Sequence, residues 1–277
     1  MADPQRPVPE SALLHCIALL PEPPDSLDPL RERLAARLPG ATLDPASWTD
    51  KLEPRAYAFG PVQAGRFGFH LLVDREGMPQ AVGQAVTAAH MSSLSAVAVQ
   101  QHAACALCFL VSAPDDSTPL ERLRALSAVA FAFLDLGATV VAFPDGRSTL
   151  HRDELVTLDP LALGPDDAWI AVSFGYAGHP DEAGLQWVRT FGMAQLGLPE
   201  VITRVTAAEE EALLAAEALL ASLPSYLLAK GEQFQLGDRL AVGKRRWHVG
   251  EPPVPPPFAP PTTGLVHLVR DERPGAL

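Results

Sequence analysis

Cysteine is scarce in this chain. Three cysteines in 277 residues, Cys16, Cys105 and Cys108, are too few and too odd in number for a disulfide framework. They suit a reducing compartment, and the expected location is the cytoplasm. Positive charge is short as well, since 21 Lys and Arg against 33 Asp and Glu leave a formal net charge of -12. That sign opposes a phosphate backbone, and the one basic run, Lys244-Arg245-Arg246, lacks supporting basic residues and aromatic platforms. Nucleic acid is not an expected partner.

Long uninterrupted apolar runs are missing too. The N-terminal apolar stretch has no cationic flank, is interrupted by His15 and Cys16, and is followed by prolines, which fits a strand better than a leader. Residues 125–143 come nearest to the ~20 apolar residues a bilayer span needs. Asp135 and Gly137 break that run, and a buried helix ending before a buried strand accounts for it. No membrane contact is expected.

Catalytic and cofactor motifs are lacking. There is no G-x-G-x-x-G, no G-x-x-x-x-G-K-[ST] and no G-x-S-x-G elbow. Cys105 and Cys108 have no second pair, and three residues apart on a strand they point to opposite faces, so inert buried thiols are expected. His15, His70 and His102 fall in or beside expected strands, with no carboxylate at a ligand spacing. The expectation is no metal and no cofactor, and a non-enzyme before an enzyme.

What is present is ample core material: 48% hydrophobic and 19% charged residues, in an arginine-, alanine-, leucine- and proline-rich style typical of high-GC bacteria. Strands are expected at 12–20, 66–73, 103–111, 138–143, 169–176 and 200–205, with 41–61 as irregular connection. Helices are expected at 30–38 and 79–89, and from Thr118-Pro119-Leu120-Glu121, a capping box with a first-turn proline, to about 136. A compact helical turn over 187–197 and a second capping-box helix from Thr206 to 223, stopped by Pro224, follow. A hairpin over 234–249 carries Gly237-Asp238 and Gly243-Lys244 as turns.

The fold class is therefore α+β: a mixed or antiparallel sheet with helices packed on it, containing β-α-β, ferredoxin-like units such as 103–143. One domain over 1–250 is expected, with two similar halves, 1–150 and 151–250. A Pro-rich arm, 251–277, follows, with self-packing favoured over recognition by a partner.

The least ordinary string runs from Trp187 to Glu200. Leu196 should end a short helix, Gly197 should take a left-handed cap, and Pro199 should introduce the strand beginning at Glu200. Arg189 and Thr190 are not explained by packing, and His179 lies in a loop just upstream. His179, Arg189, Thr190 and Glu200 are accordingly the candidate binding residues, since loops between strands and helices carry function more often than cores. The acidic pairs Asp115-Asp116 and Asp166-Asp167 and the triple Glu209-Glu210-Glu211 sit where turns, caps and a helix N-terminus favour them.

Thr190, Gly192, Leu196, Gly197, Pro199 and Glu200, with Gly237-Asp238 further on, form a T-x-G-x-x-x-L-G-x-P-E element followed by a helix and a Gly-Asp turn. This pattern resembles a bacterial domain of unknown function, numbered forty-two sixty-one, over roughly 66–242. The resemblance implies an α+β fold and a bacterial origin, and supplies no catalytic residue. Together these readings point to a non-catalytic protein that binds another protein, as an accessory or immunity-like component of a conflict or secretion system. Two rivals stand beside it: a small-molecule-binding domain or hydrolase with its site in the 173–200 loops, and a structural homo-oligomer subunit.

Overall fold

A computed structural model describes residues 14–24, 28–43, 49–51, 57–74, 102–230, 234–243, 245–251, 253 and 264–271. The helix expected over 79–89 lies outside them, as do 1–13 and most of the proline-rich stretch. Two sheets with helices packed on them make an α+β fold.

The first sheet follows the order β2-β4-β5-β6-β1-β7-β8, with β3 on β4. Its strands are β1 (His15–Leu20), β2 (Ala41–Leu43), β3 (Thr49–Lys51), β4 (Tyr57–Ala64), β5 (Phe67–Asp74), β6 (Ala104–Ser112), β7 (Val140–Phe143) and β8 (Ser148–His151). Helix α1 (Asp28–Arg37) leaves β1, and α2 (Pro119–Asp135) joins β6 to β7. Because β1 lies antiparallel between β6 and β7, those two strands are parallel and α2 closes a split β-α-β crossover. β1 and β5 flank β6 in the same way, so the crossover containing α1 is split too. This is the ferredoxin-like connectivity, with β2, β3 and β4 inserted after α1.

Helix α2 begins as the capping box requires: Thr118 Oγ1 accepts the Glu121 N–H at 3.2 Å and the Glu121 carboxylate accepts the Thr118 N–H at 2.7 Å. Its Leu123, Leu126 and Val129 pack with Leu30 and Leu34 of α1 over Cys16, Ala18, Leu71 and Cys108 of the sheet. Each fully buried leucine is worth about 1.5–3 kcal/mol. The Arg37 guanidinium pins α1 to the end of α2 through two 2.8 Å hydrogen bonds to Asp135. The opposite face carries a separate buried cluster of Ile17, Leu19, Cys105, Val140 and Ala142. Cys105 and Cys108 thus face opposite sides, as strand periodicity requires.

The region 41–61, expected to be irregular, supplies three strands. Gly60-Pro61 disguises β4, yet Pro61 falls in the gap between the β3 ladder, at residues 57–59, and the β2 ladder, at 62–64. A residue without an N–H is tolerated there.

The second sheet has the order β12-β13-β14-β11-β10-β9. β9 (Ser173–Tyr176), β10 (Leu185–Phe191) and β11 (Glu200–Thr206) form an antiparallel meander, and α4 (Glu210–Lys230) follows. β12 (Arg239–Val242), β13 (Arg245–Gly250) and β14 (Leu265–Arg270) complete it, β14 lying parallel to β11 and antiparallel to β13. The four-residue helix α3 (Arg152–Leu155) lies between the sheets in sequence. The second sheet has an adjacent, unsplit β11-α4-β14 crossover, so the two sheets differ in connectivity.

Several expectations need correction. Trp169 is not in a strand: Pro165–Ile170 is a 3₁₀ helix capped by the Asp167 carboxylate on the Gly164 N–H, and β9 starts only at Ser173. Residues 187–191 belong to β10, and of the expected helical turn only Ala194–Leu196 is helical, closed by Gly197 at φ 78°. Pro224 does not end α4, which continues to Lys230. Within the expected C-terminal arm, where self-packing is favoured, β14 fills an interior position in the sheet and the Thr203 hydroxyl donates to the Leu268 carbonyl at 2.8 Å.

Candidate functional site

Of the four residues singled out in sequence, the structure gathers three. Thr190, in β10, donates its hydroxyl to the Glu200 carboxylate at 2.6 Å and accepts the Val201 N–H at 2.9 Å. The second carboxylate oxygen of Glu200 accepts the N–H groups of Gly192, at 2.9 Å, and Ala194, at 3.3 Å. Thr190 and Glu200 are 0% and 2% exposed, so no solute reaches them. Burial pushes the Glu200 carboxyl above its ordinary range, opposed by the Thr190 hydroxyl, the Arg189 charge and the two N–H groups.

This carboxylate organises the seam between the two sheets. A Cβ on Gly146, in the β7–β8 turn, would collide with the Ala171 carbonyl oxygen; one on Gly192 would lie 2.6 Å from the Gly146 Cα. Ser173 Oγ donates to the Gly146 carbonyl, and Gln195 Nε2 donates to the Ala171 carbonyl at 2.6 Å. Met193, Leu196 and Leu198 then enter the core that α2 shares with the first sheet. The T-x-G-x-x-x-L-G-x-P-E element is thus a structural joint.

Arg189 lies at the rim of that joint. Its guanidinium carbon sits 4.6 Å from the Phe191 ring centre, and that of Arg147, from the β7–β8 turn, sits 3.9 Å from the same centre. Arg147 holds φ 48°, the one described non-glycine residue in the left-handed region. Burial lowers the pKa of both arginines, and the Arg147 charge lowers that of Arg189 further while Glu200 raises it. Arg147 carries no motif that sequence reasoning could have found; only the fold brings it to Phe191.

His179 is elsewhere. It is exposed in the loop 177–184, which joins β9 to β10 at the far end from Phe191. Six residues of extended strand put about 20 Å between the two ends. That loop is held by Gln186 Nε2 on the Gly178 carbonyl, by Asp181 accepting the Ala183 and Leu185 N–H groups, and by an Asp181–Arg204 ion pair. His15 and His70 do align in one row across β1, β6 and β5, with Phe109 between them, and His15 stacks on Phe109 at 5.7 Å. Among the described residues no group of three His, Cys, Asp or Glu side chains is placed to hold a metal.

A different place is concave. A cleft of about 200 Å³ opens where the 3₁₀ helix and the start of β9 meet α4, lined by Asp166, Trp169, Phe174, Leu220, Pro224 and Ser225 among others. Small-molecule sites usually run about 300–1,000 Å³, so this cleft is the size of one side chain. Pro224 shapes it: lacking an N–H, it deprives the Leu220 carbonyl of its helical donor one turn earlier. Sequence reasoning passed over this region because it took Pro224 as a helix stop.

Comparison with protein-family models, with curated proteins and with solved structures finds no match in any of the three.

Proposed function

We propose that the chain is a non-catalytic protein of the bacterial cytoplasm that works by binding another protein through the solvent face of α4 and the adjoining 3₁₀ helix. The observation that carries this reading is the composition of that face. Between Glu211 and Lys230 the only charged residue of α4 is Glu217. Leu214 is 58% and Tyr226 43% exposed, with Ala218, Ala221, Ser222 and Ala229 exposed beside them. An ordinary surface helix turns charged residues to water. α4 is long and apolar enough to cross a membrane by length and composition, yet only 39% of its most apolar 18-residue window is buried. Its other face packs Ala212, Ala216, Leu219 and Leu223 against Val188, Val201 and Trp247 of the second sheet. Exposed Trp169 extends the apolar surface, and contiguous patches of this kind mark interaction sites.

The small-molecule rival is less well supported, because Thr190 and Glu200 are sealed, His179 is remote and the cleft is small. An accessory or immunity-like role suits a compact acidic binder, and membership of the bacterial family numbered forty-two sixty-one is part of the same proposal. Its support is that Thr190, Gly192, Leu196, Gly197 and Glu200 fold as one unit. The test is a paired purification of native complexes with the wild-type chain and with Leu214→Glu/Ala218→Glu. Both substitutions are on exposed positions, so thermal unfolding should be unchanged. A stoichiometric partner held by the wild type and lost by the variant is the expected result. The reading fails if the variant keeps that partner, or if the purified chain turns over a substrate.

A further inference from the structure

We infer that the cleft beside Pro224 receives an arginine side chain of the protein partner. The inference rests on the protein-binding reading above and identifies the chemistry of the partner residue.

Four observations converge. The first is an idle acid: of the adjacent pair, Asp167 is committed to the Gly164 N–H, whereas Asp166 has no hydrogen bond or ion pair among the described residues and lines the cleft. The second is an acceptor without its usual donor, the Leu220 carbonyl, left so by Pro224. Third, exposed Trp169 and half-buried Phe174 supply aromatic surface at the same opening. The fourth is size: about 200 Å³ admits a single long side chain.

A carboxylate, a carbonyl and an indole share one preferred guest. The guanidinium group offers several N–H donors in a fixed plane, carries a permanent positive charge and stacks on aromatic faces, all in one side chain. An ammonium satisfies the charge but not the planar fork, and an apolar side chain would pair with neither the carboxylate nor the carbonyl. The sign is right for the whole molecule, since a net charge of -12 draws a basic partner toward it. Arginine is also among the residues enriched at the centres of protein interfaces. The solvent face of α4, on which Glu217 is the one charge between Glu211 and Lys230, would then form the largely apolar surround that keeps water from the inserted group.

The probe is N-acetyl-arginine amide, titrated into the ¹⁵N-labelled full chain while the indole N–H of Trp169 is followed, its resonance assigned with Trp169→Phe. A saturable shift with a millimolar Kd is expected for a lone side chain. N-acetyl-citrulline amide, of like shape but uncharged, and the Asp166→Asn chain should each bind about tenfold more weakly. Asp166 supports no other described residue, so Asp166→Asn should unfold at the wild-type temperature.

No saturable shift at Trp169, equal binding of the citrulline amide, equal binding of N-acetyl-lysine amide, or indifference to Asp166→Asn would each overturn the inference. The two proposals fail separately. Loss of the partner on changing the α4 face without arginine-amide binding leaves the binding reading standing and removes this one; arginine-amide binding with the partner retained does the reverse.

Discussion

The hydroxyl of Thr190 meets the carboxylate of Glu200 at 2.6 Å, and neither side chain is open to solvent. Because burial holds the Glu200 carboxyl above the ordinary glutamate value of 4.5, the folded chain takes up this proton more readily than the unfolded one. The stability so gained is full below that ordinary value and is lost as pH rises through the raised folded value. Glu200→Gln should therefore lack this slope. Its destabilisation relative to wild type, about 1–3 kcal/mol where it is largest, should narrow as pH rises in urea melts followed by circular dichroism. A deficit independent of pH would show that Glu200 does not titrate in this range.

The seam built on that carboxylate leaves no room for side chains. Gly146→Ala and Gly192→Ala should each destabilise the chain by at least about 1–3 kcal/mol, because the colliding atoms are backbone and cannot rotate aside. Gly192 also holds φ 95°. Gly184→Ala, with φ 72° but open space around the missing Cβ, isolates the backbone term at about 1–2 kcal/mol. Chemical denaturation of the three variants gives the ordering.

Pro224 poses a trade between stability and binding. Pro224→Ala restores an N–H to the Leu220 carbonyl and removes a penalty of about 3 kcal/mol for proline in a helix interior. Loss of buried proline surface should offset about 1–2 kcal/mol of that gain. The variant should melt higher and bind N-acetyl-arginine amide more weakly. A higher melting temperature with undiminished binding would show that Pro224 plays no part in the cleft.

The two hydrogen bonds from Arg37 to Asp135 govern the opposite end of the pH scale. The Arg37 guanidinium is the main reason the Asp135 carboxyl lies below its ordinary value. Its contribution to stability is present above the ordinary value of 3.8 and lost as pH falls through the lowered one. Asp135→Asn should thus be less stable than wild type near neutrality, with the two curves converging in acid. Both side chains are about a third exposed or less, at 34% and 26%, so added salt should weaken the effect only in part.

Local chemistry was legible wherever it acts within a few residues. Thr118 and Glu121 announce α2, Gly197 announces its cap, and the alternation of Cys105 and Cys108 across β6 follows from strand period alone. Pro61 and Pro224 misled because each breaks a local rule that tertiary context relaxes: a gap between two ladders for one, packing along α4 for the other. Thr190 and Glu200 stood out in sequence, but their burial, and hence their structural role, depends on a turn some fifty residues earlier. The cleft was invisible because Asp166 and Asp167 look alike as letters. Only the structure shows that one is occupied and the other is not.

β14 sits between β11 and β13, so the last of the described strands is an inner member of its sheet. All the described strands of the first sheet have been made once His151 has been synthesised. The second must wait: until Leu265–Arg270 leave the ribosome, β11 and β13 each keep a vacant ladder edge. A nascent chain halted short of residue 265 would carry a paired first sheet and a second with two open rims, which invite pairing with other chains.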